Sequence, residues 1–192
     1  QYNHALAVST FQSIPNLWNT GFTIVVAYNS DSPTRVATAD LLKNELEGMN
    51  VKFHVIKASI VWSQYLYASL YGELPLWILG WLADFPDCHN FAYPFYASTG
   101  DFGSSQGYNN PAIDALIEQG ARSVNPTLRQ TIYHSIELEV LKDVPSVATI
   151  QGLGRHFERE WVNGWYFNVV QPGNPWWAMW KAYYVPHAFY PG

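Results

Sequence analysis

The stretch richest in chemistry is Trp81-Leu82-Ala83-Asp84-Phe85-Pro86-Asp87-Cys88-His89. Asp84 stands three residues after the Trp81 ring. A carboxylate in that place can meet a ligand cation. It can equally cap the turn that Phe85-Pro86 begins, because Asp is common in turns for local reasons. Asp84, Asp87, Cys88 and His89 also put four potential metal ligands within six positions. Zinc sites usually draw their ligands from separated pairs such as Cys-x-x-Cys, and no such pair occurs here, so no metal is expected. No Gly-rich phosphate loop and no nucleophile elbow is present. Gly103-Ser104-Ser105 reads as a flexible loop, and no neighbouring motif marks either Ser as a nucleophile. Binding without catalysis and without a cofactor is therefore the expected class of function.

The element that must position Asp84 is the run before it. Leu76-Trp77-Ile78-Leu79-Gly80-Trp81 carries no charge and ends in a turn signal, which predicts a strand over Leu74–Trp81 buried on both faces. In open α/β sheets ligands sit beyond the carboxyl ends of the strands, and Asp84 falls at such a place. Two earlier strands are expected, at Thr23–Tyr28, which is β-branched and apolar, and at Val51–Ile56, which alternates. Between them Ser32-Pro33 opens a helix with Val36, Ala39, Leu42 and Leu46 on its apolar face, and Gly48 is expected to end it. A second helix is expected over Val61–Tyr71. Strand, helix, strand, helix, strand implies a parallel sheet with right-handed crossovers and the first strand in the middle. That topology puts Tyr28-Asn29 beside the Trp81–Asp84 segment. Residues 86–109 read as a long loop, which inside a domain is usually functional or mobile. Asn110-Pro111 and Asn125-Pro126 each mark a helix start twice, by capping and by the restriction before Pro. Asp143-Val144-Pro145 stops the second of these helices, and Val147–Gln151 reads as a further strand.

Composition narrows the class. Of 192 residues only 13% are charged, about half the usual share, while nine Trp and thirteen Tyr raise the aromatic content to 17%. Aromatics with a polar handle are favoured in grooves and interfaces that are dry on one side and wet on the other. The net charge is −5 without a Lys/Arg run, which argues against nucleic-acid binding. Cys88 is the single cysteine, so no internal disulfide forms, and this poverty in cysteine fits an exported protein. No stretch of about 18 apolar residues suggests a membrane span. Starting at Gln1, the sequence reads as either a processed chain or a fragment. Five of the nine Trp fall in the last 40 residues, at 161, 165, 176, 177 and 180, with no common period. The tail after Gly152 is expected to pack on another lobe or a partner.

In order and spacing, Gly80-Trp81-Leu82-Ala83-Asp84-Phe85-Pro86-Asp87, then Asn90-Phe91, then Tyr108-Asn109-Asn110-Pro111-Ala112-Ile113-Asp114-Ala115-Leu116-Ile117, resembles the extracellular solute-binding proteins of family 5. These are the oligopeptide- and dipeptide-binding subunits of ABC importers. Asn125-Pro126, Arg129, Tyr133, Ile136, Asp143-Val144-Pro145 and Trp161-Val162-Asn163-Gly164-Trp165 extend the match. It corresponds to the C-terminal part of the family, less than half of a full-length member. The resemblance implies a periplasmic-binding-protein-like lobe of α/β class, with a βαβαβ parallel core and added helices. Residues 1–152 would be most of the second ligand-binding lobe. Residues 153–192, the Trp-rich tail, would return to complete the first lobe, whose N-terminal part is the tail's implied packing partner. The family's acidic residue in Trp-x-x-Asp receives the free amino group of a bound peptide, and Asp84 matches it. Trp81, Ala83 and Phe85 beside it, with Tyr28 and Asn29 at the first strand end, complete the candidate ligand-binding set. An ABC permease is the implied partner, and the implied location is extracytoplasmic, in the periplasm or at the cell surface.

The sequence departs from the family at two places. Asp87-Cys88 stands where the family usually has Asp-Pro. Tyr28-Asn29-Ser30 carries no cation where dipeptide binders hold the peptide carboxylate. The second departure argues against a fixed-length dipeptide and leaves longer peptides or oligosaccharides.

Overall fold

The computed structural model describes residues 3–151, Phe157 and Arg159, and the backbone of Val162–Asn163 and Tyr183–Tyr184. The expectations for Trp161, Trp165, Trp176, Trp177 and Trp180 lie outside the described residues. The chain divides into two compact units, Gln1–Gly80 with Ser104–Gly107, and Trp81–Gly103 with Tyr108–Gly192.

In the first unit β1 (Phe22–Asn29) lies between β2 (Phe53–Ile60) and β3 (Leu76–Trp77), and both neighbours run parallel to it. The expected parallel order is thus observed. β1 and β2 stay in step from Phe22↔Phe53 to Asn29↔Ile60. α3 (Pro33–Met49) lays Val36, Ala39, Leu42 and Leu46 against Val26, Tyr28 and Val55. Fully burying a side chain of the Val or Leu kind stabilises by roughly 1.5–3 kcal/mol, so this face fixes the helix on the sheet. Pro33 occupies the first helical position, but the Ser32 hydroxyl makes no cap bond. α4 (Trp62–Leu70) follows β2 directly.

The third strand is shorter than the apolar run predicts. It pairs with β1 only at Val26↔Leu76 and Ala27↔Trp77. The reason sits on α4. Tyr65, fully buried, donates its hydroxyl hydrogen to the Ile78 carbonyl and accepts the Ile78 N–H at 2.9 Å. The Ile78 N–H also reaches Ala27 O at 3.2 Å. The phenol therefore takes the Ile78 carbonyl that a longer ladder would use, and Leu76 and Trp77 are only part-buried. The second strand begins at Phe53, later than expected, because Lys52 N–H donates to the Asn50 side chain in a turn at 3.1 Å. Residues without an assigned element at the start form α1 (His4–Gln12), capped by Asn3, and α2 (Pro15–Thr20).

The second unit holds α5 (His89–Tyr96), α7 (Pro111–Arg122) and α8 (Pro126–Asp143). α6 (Asp101–Ser105) begins in it. The segment 86–109, read as a loop, is thus largely helical. Close packing at glycine explains how so short a segment folds: a Cβ on Gly103 would lie 2.1 Å from the Ala97 carbonyl oxygen. The two Asn-Pro pairs start helices as expected. Asn110 Oδ1 accepts from Ala112 N at 3.0 Å, and Asn125 Oδ1 accepts from Leu128 N at 3.1 Å. Ile113 and Ile117 of α7 pack with Ile132, Tyr133, Ile136 and Val140 of α8 and with Ala92 and Ala97. α8 ends at Val144 in the left-handed region, φ 49°. Beyond it, Val147–Gln151 is irregular rather than a strand. Val147 and Ile150 are exposed there, and among the described residues no strand pairs with them. Near the end β4 (Val162–Asn163) and β5 (Tyr183–Tyr184) pair antiparallel. Among the described residues no helix is long and apolar enough to cross a membrane.

Candidate functional site

The candidate residues fall in both units. In the first, Tyr28 and Asn29 close the carboxyl end of β1 and are 6% and 5% exposed. Tyr28 belongs to the core between the sheet and α3, with the Lys57 ammonium 5.9 Å from its ring centroid. The Asn29 amide donates to the Asp31 carboxylate, and its oxygen accepts from the Arg35 guanidinium. Arg35, in the first turns of α3, also lies 5.4 Å from the Trp62 ring centroid and 5.9 Å from that of Tyr65. An Arg over aromatic faces is held by their negative quadrupole while its remaining donors stay available. A cation therefore does reach the end of β1, where the local sequence shows none. The signal was weak: Arg35 is six residues beyond Asn29, and Trp62 arrives only through the Asn29↔Ile60 register.

In the second unit the Trp81-x-x-Asp84 motif is organised by a buried amide. Asn90, 7% exposed near the start of α5, accepts with Oδ1 from Trp81 Nε1 at 3.0 Å and from Asp84 N at 2.9 Å. Its Nδ2 donates to Asp84 Oδ2 at 3.1 Å. Among the described residues no hydrogen bond reaches Asp84 Oδ1, and Asp84 is exposed. The Trp81 ring stands edge-on to Phe95 and Phe102, with centroids 5.7 and 5.8 Å away, and those two rings stack at 4.9 Å. Ala83 is part-buried, and Phe85 is 46% exposed. The arrangement presents an ionisable carboxylate beside a fixed indole at a solvent-facing loop.

Asp87 takes a different role from Asp84. Arg129 of α8 grips it with two donors, Nη1 and Nη2, at 2.6 Å each, and His89 N–H donates to it at 2.7 Å. The Arg129 hydrogen bond holds the Asp87 carboxyl below its ordinary range. Asp87 thereby caps α5, where Cys88 at the N-cap position makes no side-chain bond and stays exposed. Among the described residues His89 Nδ1 is buried without a hydrogen-bond partner, and its ring lies 5.4 Å from that of Tyr93. Among the described residues no three of His, Cys, Asp or Glu are grouped to hold a metal ion.

No protein-family model matches this chain, and no curated protein matches it. Solved structures do. OppA of Burkholderia pseudomallei aligns over 97% of the chain at TM-score 0.80 and 16% identity. The Escherichia coli murein tripeptide binding protein MppA aligns over 97% at TM-score 0.71 and 16% identity. The chain has the fold of the peptide-binding ABC substrate-binding proteins. The α/β lobe implied by the resemblance to family 5 is borne out at that level. NikA of Brucella suis, solved with Fe(III)-EDTA, shares the fold over 71% of the chain at TM-score 0.58 and 18% identity. This chain spans 36% of the OppA and MppA chains and 29% of the NikA chain.

Proposed function

We propose that the chain is part of an extracytoplasmic solute-binding protein that captures peptides and delivers them to an ABC permease, without catalysis or a cofactor. Residues 1–152 are then most of the second ligand-binding lobe, and 153–192 return to complete the first lobe. The observation that carries the reading is Asp84, an exposed carboxylate with one oxygen held and, among the described residues, the other without a hydrogen bond, beside a fixed indole. Asp84 receives the peptide's ammonium group. Trp81, Ala83 and Phe85 complete the ligand contacts in the same unit, and Tyr28 and Asn29 are a separate candidate at the end of β1, in the other unit. The name of one structural neighbour, the murein tripeptide binding protein, supports a peptide.

An ammonium enclosed with a carboxylate makes a charge-assisted hydrogen bond. Removing one partner of such a pair costs about 2–5 kcal/mol, much of it from the charge left unpaired. The test is Asp84→Asn in the two-lobed protein, titrated calorimetrically with a peptide and with its N-acetylated form. The unsubstituted protein is expected to reject the acetylated peptide, and the variant to lose most of that discrimination. Equal binding of both peptides by the unsubstituted protein refutes the reading.

An oligosaccharide is the second reading, favoured by the low charge and by the exposed Phe85 ring next to Asp84. A thermal-shift screen of peptides against oligosaccharides separates the two, because ligand bound only to the native state raises its stability by mass action.

A further inference from the structure

We infer that Asn90 is the positioning residue of this site, setting the Trp81 indole and the Asp84 carboxylate as one rigid unit. This rests on the reading of Asp84 as the ligand anchor. The sequence marks Asn90 only as a motif residue, and its geometry assigns it more. The Trp81 Nε1–H and the Asp84 backbone N–H can only donate, so the atom facing both must be the amide oxygen. Its two lone pairs are then filled, at 3.0 and 2.9 Å. With the oxygen so fixed, the NH2 group has to face Asp84, where it donates to Oδ2 at 3.1 Å. One side chain thus decides three things: the plane of the indole, the path of the backbone at Asp84, and which carboxylate oxygen is left for a ligand.

Asn90 is itself held from two sides. Its backbone N–H donates to the Asp87 carbonyl at 3.1 Å, and the Asp87 side chain is gripped by Arg129. The amide is buried, so water does not compete for its bonds. A carboxylate preorganised this way meets an ammonium without first losing side-chain freedom, which is where preorganised sites gain affinity.

The test uses the two-lobed protein with 15N-labelled indoles. The Trp81 signal is assigned by its loss in Trp81→Phe. In Asn90→Ala, the Trp81 Nε1–H is expected to exchange with solvent faster, with or without ligand. Preference for the free-amine over the N-acetylated peptide is expected to fall by about tenfold or more, the worth of a hydrogen bond to a charged group. Affinity for the acetylated peptide should fall less than affinity for the free-amine peptide. In an Asp84→Asn background, Asn90→Ala should reduce the preference no further, since coupled residues are non-additive. Asn90→Ser, whose short hydroxyl cannot span three partners, is expected to give the same losses where Ala fails to fold.

Unchanged indole exchange in the folded variants overturns the inference. So does equal loss of affinity for both peptides, the sign of a merely structural residue. If the unsubstituted protein binds both peptides equally, the amine reading of Asp84 fails. The exchange measurement then decides Asn90 by itself.

Discussion

Arg129 is the residue on which the order around the site converges. It reaches Asp87 with two nitrogens, donates through Nε to Gly120 O at 2.9 Å, and lies 5.2 Å from the Tyr133 ring centroid. A Lys in its place would keep the charge but lose the planar fork. Arg129→Leu is expected to cost about 1.5–3 kcal/mol, the range for hydrogen bonds between charged groups, read by urea denaturation at neutral pH. The pH dependence has a definite sign. The folded pKa of Asp87 is depressed, chiefly by the Arg129 hydrogen bond. Its contribution is therefore full above the ordinary Asp value of about 4 and lost as pH falls through the folded value. The stability gap between the unsubstituted protein and Arg129→Leu should narrow below about pH 4 and stay constant from about pH 6 to 8. A gap that stays flat to acid would show that Arg129 acts through Gly120 and Tyr133 alone. Asp84 and Asp87 looked alike in the sequence, three residues apart. Only the fold separates them, because Arg129 comes from α8, 42 positions beyond Asp87.

The elements divide into those written locally and those decided by a distant partner. Both Asn-Pro helix starts were legible, since the cap acceptor and its N–H donors lie within three residues of each other. β1 in the centre of a parallel sheet was legible from the alternation of strands and helices. The end of β3 was not, because a phenol 13 residues earlier takes the Ile78 carbonyl. α5 was not legible either: Pro94 sits inside it, and its cap comes from Asp87, which is itself fixed by α8. The corner after it depends on Gly103. A Cβ there falls 2.1 Å from a backbone oxygen, a clash that no rotamer change relieves. Gly103→Ala is expected to destabilise by about 1–3 kcal/mol through overpacking, even though Ala favours a helix. Thermal unfolding followed by circular dichroism checks this. A melting temperature at or above that of the unsubstituted chain would mean the corner opens freely.

For the whole molecule, the fact to explain is that 192 residues span 36% of the chains they resemble. Trp62, Tyr67, Leu82 and Phe85 are all exposed here, at 43–73%. Trp62 and Tyr67 belong to the first unit, Leu82 and Phe85 to the second. Under the proposed function, the isolated 192 residues should bind peptide weakly, because closure around the ligand needs the rest of the protein. Calorimetry of the isolated chain is expected to give no affinity tighter than about micromolar, a level equivalent to roughly 8 kcal/mol. Tight peptide binding by these residues alone would contradict the two-lobed reading.

Cys88 lends the chain to direct observation. It is the single thiol, it is exposed, and it lies between Asp87 and Asn90 in sequence, two residues from the amide that holds Asp84. A thiol-reactive dye would therefore attach at one place, four residues along the chain from the proposed anchor, with no engineered cysteine and no second label to subtract. Its emission would report on the polarity beside Asp84 as candidate solutes are added one by one, which turns the identity of the ligand into a titration read by fluorescence.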